Sequence, residues 1–410
     1  MTVGEPAMLP GTIRLPRERS WVRWACLLWV IILLALCIRI FYWPAIHNTF
    51  LIFAQAGRNW HDGVNLYGSV APNLDVYRYS PLVAGLLAPL SILPVSLASA
   101  LWVLLNAAVF LAALFWWKEK VPSSRIPFAV LALATLPLAI AALHNGQSNA
   151  LVIGLLLAGV ASAAGERWNL AAAFIALATL LKLYPLAIGL LLVALYPRKF
   201  AGRLAIALGI GLFLPFLLQQ PGYVFHQYGD WVTYLLNDDR TLLPVNLWMR
   251  DFRLLCRVWL VTPPPGLYLL IQALTGLAVA ALCLGAACRR WSRRDLLALL
   301  TGLGCCWMTL FGPGTEPNTF ILLAPSLSLA LVDAWLADSP RWRRSMLAFI
   351  FGLMLAGYVF KWFSLTRHLC DLGPQPFAAL QFFLLLGGDA LVRIMRRPAE
   401  LPAQQLPRAA

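Results

Sequence analysis

A cluster of polar side chains interrupts an apolar stretch at residues 143–152, which read LHNGQSNALV. The polar island comprises His144, Asn145, Gly146, Gln147, Ser148 and Asn149. Its side chains donate and accept hydrogen bonds, so they could hold sugar hydroxyls or phosphate oxygens in a wet cavity. The island also fits a capping turn, in which its Asn-Gly pair ends one helix and its serine caps the next. Both interpretations stay open, because capping and ligand contact are compatible.

A lysine stands inside the apolar run 170–197, in the sequence LLKLYP. An ammonium group at the centre of a membrane helix costs about 2.5 to 3.5 kcal/mol and is rarely kept without a partner. A phosphate at the mouth of a membrane cavity would be such a partner for Lys182. The alternative is a lysine near a helix end that extends its amine to the membrane surface.

Two arginines follow each other at a spacing of three in VNLWMRDFRLL, residues 245–255. On a helix, Arg250 and Arg253 would share one face, and both could grip a phosphate through paired hydrogen bonds. An amphipathic helix at the membrane surface, touching anionic headgroups, explains the same pattern.

The elements that must position these residues are membrane helices. Of the 410 residues, 61% are hydrophobic and 12% are charged, whereas soluble domains carry about 25% charged residues. Apolar stretches near the ~20 residues that cross a bilayer recur throughout. The sequence predicts an all-α polytopic protein of about twelve transmembrane helices, with one domain at 21–397 between cytoplasmic tails at 1–20 and 398–410.

The run 170–197 is too long for one crossing and contains Pro185. Basic loops at both of its ends require an even number of crossings between them, which predicts a helical hairpin or broken pair with Lys182 near the outer face. By the same parity, the short segment 80–94 is doubtful as a full span.

The net charge of +15 comes from basic residues between the helices, a placement that argues against nucleic acid as a partner. Most of the 32 Lys and Arg residues fall in the tails and in one set of loops, which the positive-inside rule assigns to the cytoplasm. The loops of the opposite side are richer in aromatic and acidic residues, so we expect the function on that extracytoplasmic face. These loops are 44–80, 144–149, 219–262, 312–319 and 364–376.

The chain resembles glycosyltransferase family 87, the polyprenol-phosphate-mannose-dependent mannosyltransferases of the GT-C fold. The resemblance covers roughly residues 45–335 in consistent order. The matching elements are Phe53 and Ala56 after the first helix, DGVNLY at 62–67, DVYRYSPL at 75–82, the NGQSNALVIGLLL run, and LLKLYP before PRKFAGR.

The resemblance implies a GT-C bundle with a first extracytoplasmic loop. It also implies a transferase that moves a hexose, with mannose as the family's sugar, from a polyprenyl-phosphate donor to a glycolipid or glycan hydroxyl. Inversion at the sugar, no metal and no cofactor are expected, in a bacterial inner membrane. Two rival hypotheses remain. Broken helices are also typical of lipid or sugar transporters and flippases, and a catalytically inactive member of the fold is the third option.

The third option arises from a departure at the position of the family's catalytic aspartate, just after the first helix. This chain has Asn48 and Thr49 there, and neither is a base at neutral pH. Asp75 is the best substitute by sequence, and Asp62 is the second. Asp75 could equally cap the turn that follows it.

A second departure lies at FGPGTEPNTF, where Asn318 stands in place of a family histidine that would face the lipid phosphate. Glu316, two residues away, becomes a further candidate base, although a solvated loop acid would look the same. The residues expected to bind substrate are Lys182, His144, Asn145, Gln147, Asn149, Tyr77, Tyr79, Asn246, Arg250, Arg253 and Asn318.

Overall fold

The computed structural model describes residues 18–68, 75–237, 244–245 and 248–396, and within these ranges the chain forms helices and no strands. The first half contains α1 (Glu18–Tyr42), α2 (Phe50–Asp62), α3 (Pro81–Ser91), α4 (Val95–Lys120), α5 (Phe128–His144), α6 (Asn149–Ala164), α7 (Trp168–Leu181), α8 (Leu186–Leu195) and α9 (Pro197–Phe213).

In the described chain, the second half begins with three shorter helices, and most of the helices after them are long. These are α10 (Pro215–Leu218), α11 (Pro221–Asn237), α12 (Phe252–Trp259), α13 (Pro265–Cys288), α14 (Arg293–Phe311), α15 (Ala324–Leu336), α16 (Arg341–Val359) and α17 (Pro374–Met395). Three 3-10 segments lie at Pro317–Leu323, Phe360–Trp362 and Arg367–Leu372.

Seven helical segments of the described chain are long and apolar enough to cross a membrane, and five shorter apolar helices accompany them. The predicted all-α polytopic membrane fold is therefore confirmed. The number of membrane crossings depends on whether the shorter helices also cross the bilayer. The predicted count of about twelve crossings therefore stays a prediction. The long segments are Ser20–Tyr42, Val95–Lys120, Pro197–Leu218, Pro265–Cys288, Arg293–Phe311, Pro317–Leu336 and Arg367–Met395.

The predicted break in the run 170–197 is also confirmed. α7 ends at Leu181, Lys182 has extended backbone at φ −150° and ψ 138°, and α8 begins after Pro185. The proline ring cannot continue an incoming helix, which explains the position of the break. α3 has 11 residues, or about 16 Å of helix, so it is too short for a full crossing, as expected.

The loops predicted to be cytoplasmic meet on one side of the molecule, the basic face. Arg293 donates to Glu166 at 2.6 Å, and Lys199 lies 3.9 Å from the same carboxylate. Arg294 donates to the carbonyl of Lys120 at 3.4 Å. These contacts join loops that are distant in sequence, so the predicted grouping is confirmed. The face comprises 118–125, 166–169, 198–203, 289–294 and 341–344.

The loops predicted to be extracytoplasmic meet on the opposite side. The backbone N–H of Thr49 donates to the carbonyl of Asn145 at 2.8 Å, and the N–H of Arg250 donates to that of Thr315 at 2.7 Å. This loop-rich face comprises the described parts of 44–80, 144–149, 219–262, 312–319 and 364–376.

Two segments that the sequence left as loops are helices in the structure, namely α2 and α11. Each presents one apolar side to the bundle, and α2 buries Phe50, Phe53 and Trp60. Amphipathic helices of this kind have polar residues on the other side. Their mean hydropathy is too low to stand out in a search for membrane spans, which is why the sequence did not predict them.

Candidate functional site

A cavity of about 590 Å³ opens among helix ends on the loop-rich face. This volume lies in the range of pockets that hold small organic ligands. The polar and aromatic residues that line the cavity are Thr49, Asp75, Arg78, Tyr79, Gln147, Lys182, Tyr184, Trp248, Asp251, Arg253, Tyr268 and Glu316.

The polar island forms a tight turn beside this cavity. α5 ends at His144, Gly146 adopts a left-handed φ of 60°, and α6 begins at Asn149. Glycine suits this backbone because it has no Cβ. The Ser148 side chain makes no capping hydrogen bond to α6. The expected serine cap is therefore not formed, and the island is a tight turn that ends α5 and delivers Gln147 to the cavity lining.

A chain of hydrogen bonds crosses the cavity from a cation to a carboxylate. Lys182 Nζ donates to Asn149 Oδ1 at 2.7 Å, and Asn149 Nδ2 donates to Gln147 Oε1 at 2.5 Å. Gln147 Nε2 then donates to Glu316 Oε2 at 2.6 Å. The four side chains come from three separate parts of the sequence, and each amide fixes the orientation of the next group.

Lys182 lies in the break between α7 and α8 with its ammonium group in the cavity wall. The Tyr184 hydroxyl shares its acceptor, Asn149 Oδ1, at 3.2 Å, and the Tyr184 ring centroid lies 5.8 Å from Lys182 Nζ. Within the described ranges, no carboxylate forms an ion pair with Lys182. Since an ammonium group has three N–H donors, it retains donors for an anionic ligand.

Glu316 is held in place from two directions. Its carboxylate accepts the Gln147 amide at 2.6 Å, and its backbone carbonyl accepts the N–H of Thr319 at 2.9 Å. The backbone N–H of Glu316 in turn donates to Thr319 Oγ1 at 3.1 Å. This carboxylate therefore faces the cavity in a fixed orientation.

Asp75 also lines the cavity, at its more exposed edge. Both of its carboxylate oxygens accept from the Arg78 guanidinium, at 2.8 and 2.9 Å, and 56% of its side chain is exposed. Asp62 ends α2 with an exposed side chain and does not belong to the cavity lining.

Arg253 brings a second cation to the cavity. Its Nε is buried without a hydrogen-bond partner, and its guanidinium lies 5.5 Å from the Tyr268 ring centroid and 6.0 Å from that of Trp248. A buried donor without a partner calls for an explanation, and a bound anion is one.

The expected common helical face of the two arginines is not formed, and this is a correction. Asp251 caps α12 by accepting the Leu254 N–H at 3.0 Å, so the helix begins after Arg250. The Arg250 guanidinium instead donates to Asp371 at 3.0 Å. The two arginines therefore lie in different surroundings, and only Arg253 lines the cavity.

Four other described residues that were predicted to bind substrate do not belong to the cavity lining. Tyr77 is buried with its hydroxyl donating to the Ser80 carbonyl at 2.9 Å. Asn145 Nδ2 lies 3.4 Å from Asn318 Oδ1, behind the cavity wall. His144 contacts α1, and Asn246 lies outside the described residues.

At the position of the family aspartate, the structure shows an amide with structural contacts. Asn48 Nδ2 donates to Ser99 Oγ at 2.8 Å and to the Pro44 carbonyl at 2.7 Å. Asn48 therefore ties the first loop to α4. Thr49 lines the cavity but carries no carboxylate.

Sequence reasoning missed two ionisable residues of the lining, Arg78 and Asp251. Burial raises the pKa of Asp251 to about 6. Its sequence signal, an aspartate just before an amphipathic segment, indicates a helix cap and not a ligand site. Arg78 lies between Tyr77 and Tyr79, which were both predicted to bind substrate. These neighbours were the sequence signal that could have identified Arg78.

Comparison with known proteins gives one family match. Glycosyltransferase family 87 matches residues 77–313, more than half of the chain. This range includes Lys182 and Arg253 but stops short of Glu316 and begins after Asp75.

One similar solved structure is described as the crystal structure of ArnT from Cupriavidus metallidurans bound to undecaprenyl phosphate. It has 16% sequence identity and a TM-score of 0.39, over 89% of this chain and 78% of that chain. A search of curated proteins found no match.

Proposed function

The chain belongs to glycosyltransferase family 87, and we propose that it transfers a hexose from a polyprenyl-phosphate donor to a hydroxyl of a glycolipid or glycan. One observation carries this proposal. A single cavity on the loop-rich face holds two cations without carboxylate ion pairs, Lys182 and Arg253, together with an oriented carboxylate, Glu316. The two cations can bind a phosphate, and the carboxylate can accept the proton of a reacting hydroxyl.

Lys182 and Arg253 would bind the donor phosphate. As the bond between sugar C1 and the phosphate oxygen breaks, its electron pair moves to the phosphate, whose charge grows. Cations placed before the reaction stabilise that charge without reorganisation. The Arg253 guanidinium lines the cavity and can donate to a phosphate oxygen, and the Lys182 ammonium can do the same.

Glu316 would act as the general base. The acceptor oxygen attacks C1 opposite the leaving phosphate, which inverts the configuration, while the hydroxyl proton passes to the carboxylate. Glu316 is favoured over Asp75, the first choice by sequence, because the Arg78 guanidinium occupies both oxygens of Asp75. In this proposal Asp75 orients Arg78 at the cavity entrance.

Aromatic rings around the cavity offer apolar surfaces to a sugar ring or an isoprenoid chain. These rings belong to Tyr79, Tyr184, Trp248 and Tyr268. Mannose is the first sugar to test. We place the loop-rich face outside the cytoplasm, in a bacterial inner membrane, because the opposite face carries the basic loops.

A catalytically inactive member of the fold is the second candidate, favoured by Asn48 and Asn318 at the two positions named above. A lipid or sugar transporter is favoured by the break at Lys182. Accessibility labelling of single cysteines in the cavity separates the transporter, whose cavity opens alternately to both sides.

The decisive experiment supplies purified protein in nanodiscs with a panel of polyprenyl-phosphate hexoses and an acceptor lipid extract, and measures release of polyprenyl phosphate. We expect Lys182→Ala to lower the rate by about 10²-fold, as loss of one charge-stabilising group does. Lys120→Ala, an exposed lysine on the basic face, is the matched control. Full activity in Lys182→Ala would contradict the proposed role of Lys182 in phosphate binding. If the unmodified protein turns over none of the donors, the catalytically inactive alternative is supported.

A further inference from the structure

A second group of basic side chains lies on the loop-rich face outside the cavity. It consists of Arg39 in the last turn of α1, His47 in the loop after α1, His144 at the end of α5, and Lys361 in the 3-10 segment after α16. None of the four belongs to the cavity lining. We call this group the α1 basic cluster.

Direct contacts link Arg39 and His47 to His144. Arg39 Nη1 donates to the carbonyl of Ile46 at 3.0 Å and lies 3.4 Å from His144 Nε2. The ring centroids of His47 and His144 are 5.9 Å apart. His47 has a left-handed φ of 48°, a backbone conformation that persists only where the surroundings hold it.

Positive charge in the cluster is not balanced by the protein groups that the structure describes. None of the described carboxylates forms an ion pair with Arg39, His47 or Lys361. Arg39 Nε is buried and has no hydrogen-bond partner. Burial, and after it the nearby Arg39, His47 and Lys361, lower the pKa of His144 to about 4. Neighbouring cations that no described carboxylate balances create a positive potential, which attracts an anion.

The surroundings indicate which kind of molecule carries that anion. Next to Arg39, the end of α1 exposes Phe41, Tyr42 and Trp43 at 70%, 71% and 57%. Exposed aromatic residues at the end of an apolar helix are typical of the membrane interface. The preceding turns of α1 expose aliphatic side chains, including Ile38 at 55%. An anion here would thus sit at headgroup depth, with an apolar helix surface below it for acyl chains.

The polypeptide that separates this cluster from the cavity is itself ordered. Asn145, which follows His144, accepts the backbone N–H of Thr49 and contacts Asn318. The polar island therefore has two ends, one directed to each site. We propose that Arg39, His47, His144 and Lys361 bind the phosphate of an anionic membrane lipid, at a site separate from the donor cavity.

The test uses the full-length protein in nanodiscs of equimolar phosphatidylcholine and phosphatidylglycerol, with retained lipids counted by native mass spectrometry. We expect selective retention of phosphatidylglycerol, and Arg39→Gln should weaken that binding about tenfold, the effect of one charge-assisted hydrogen bond. Arg23→Gln, which removes the same charge from the other end of α1, is the matched control and should change nothing.

Lys361→Gln and His47→Gln keep the test valid if Arg39→Gln does not fold, because both side chains are exposed. Each should weaken retention a few-fold. Glycerol 3-phosphate added in excess separates two forms of the site. Displacement of the lipid shows that the phosphate group suffices, and failure to displace it shows that the acyl chains contribute.

Equal retention of the two lipids by the unmodified protein would overturn the proposal. So would a phosphatidylglycerol preference that persists in Arg39→Gln and Lys361→Gln alike. The readout is binding and needs no glycosyl transfer, so its outcome is independent of the proposed function.

Discussion

Cations on the two faces of the molecule differ in their partners. On the basic face they are paired, since Arg293 donates to Glu166 at 2.6 Å and Arg343 donates to Asp389 at 2.7 Å. These pairs are partly exposed, and pairs of this kind contribute about 0 to 1 kcal/mol each. They hold loops together, and their charge is already neutralised by a carboxylate.

In the cavity, Arg78 is also paired with a carboxylate, but Lys182 and Arg253 are not paired with any described carboxylate. Lys182 donates to the Asn149 amide oxygen at 2.7 Å, and Arg253 Nε has no partner. Keeping a cation in this state costs stability, and the cost is offset when an anion binds. The difference teaches that the presence of a lysine or arginine does not mark a site in this protein. A cation in a cavity wall without a carboxylate beside it does.

The largest effect is expected where the cavity has a carboxylate that no cation neutralises. Glu316→Gln keeps the shape and removes the base, so the transfer rate should fall about 10³-fold, within the range for general-base catalysis. Initial rates of polyprenyl phosphate release measure this. Asp75→Asn is the matched control and should keep most of the activity. The opposite result would make Asp75 the base.

Carboxylates on the two faces should also differ in how they couple stability to pH. Burial raises the pKa of Asp251 to about 6, whereas the hydrogen bond from Arg293 lowers the pKa of Glu166. The native state retains the Asp251 proton longer than the unfolded chain, so this residue's contribution to stability falls as pH rises from about 4 to 6. The change is about 3 kcal/mol.

Thermal unfolding in detergent across this pH range measures the effect. Asp251→Asn should gain stability relative to the unmodified protein as pH rises to 6. Glu166→Gln has the opposite dependence, because the stability that a depressed carboxyl pKa provides is present at higher pH and is lost as pH falls. Parallel pH curves for Asp251→Asn and the unmodified protein would contradict the burial of that carboxylate.

A third substitution would give the cavity lysine a carboxylate partner, like the ion pairs of the basic face. Asn149→Asp places a carboxylate at the atom that now accepts from Lys182, so an ion pair forms and repels a phosphate. We expect turnover to fall about thirtyfold with a higher donor KM, for a loss of about 2 kcal/mol. Asn149→Ser, which stays neutral, should have the smaller effect on KM. An unchanged donor KM in Asn149→Asp would show that Lys182 does not bind the donor.

The smallest expected effect is a change in stability. Lys182→Met removes an ammonium group that lacks a carboxylate, so the thermal unfolding temperature should rise by the equivalent of about 1 kcal/mol while activity is lost. Arg293→Met breaks a partly exposed ion pair and should lower the unfolding temperature slightly with activity intact. A lower unfolding temperature for Lys182→Met would show that this lysine is a structural residue.

Local signals in the sequence predicted much of the framework. Hydropathy gave the membrane helices, and Pro185 gave the break that presents Lys182. The amphipathic α2 and α11 were missed because their hydropathy is low. The two arginines of 245–255 were expected on one helical face, but Asp251 starts the helix between them, and a cap is a local detail that spacing does not reveal.

The sequence by itself determined the membrane class, the two sets of loops and the places where polar residues interrupt apolar runs. These features depend on residue type and order along the chain. Only the tertiary structure decided which polar residues meet. Gln147 and Glu316 are 169 positions apart and lie 2.6 Å from each other, while Asn145, two positions earlier, contacts Asn318 outside the cavity lining. Pairing depends on distances between helix ends from separate parts of the chain, and spacing along the sequence carries no measure of those distances.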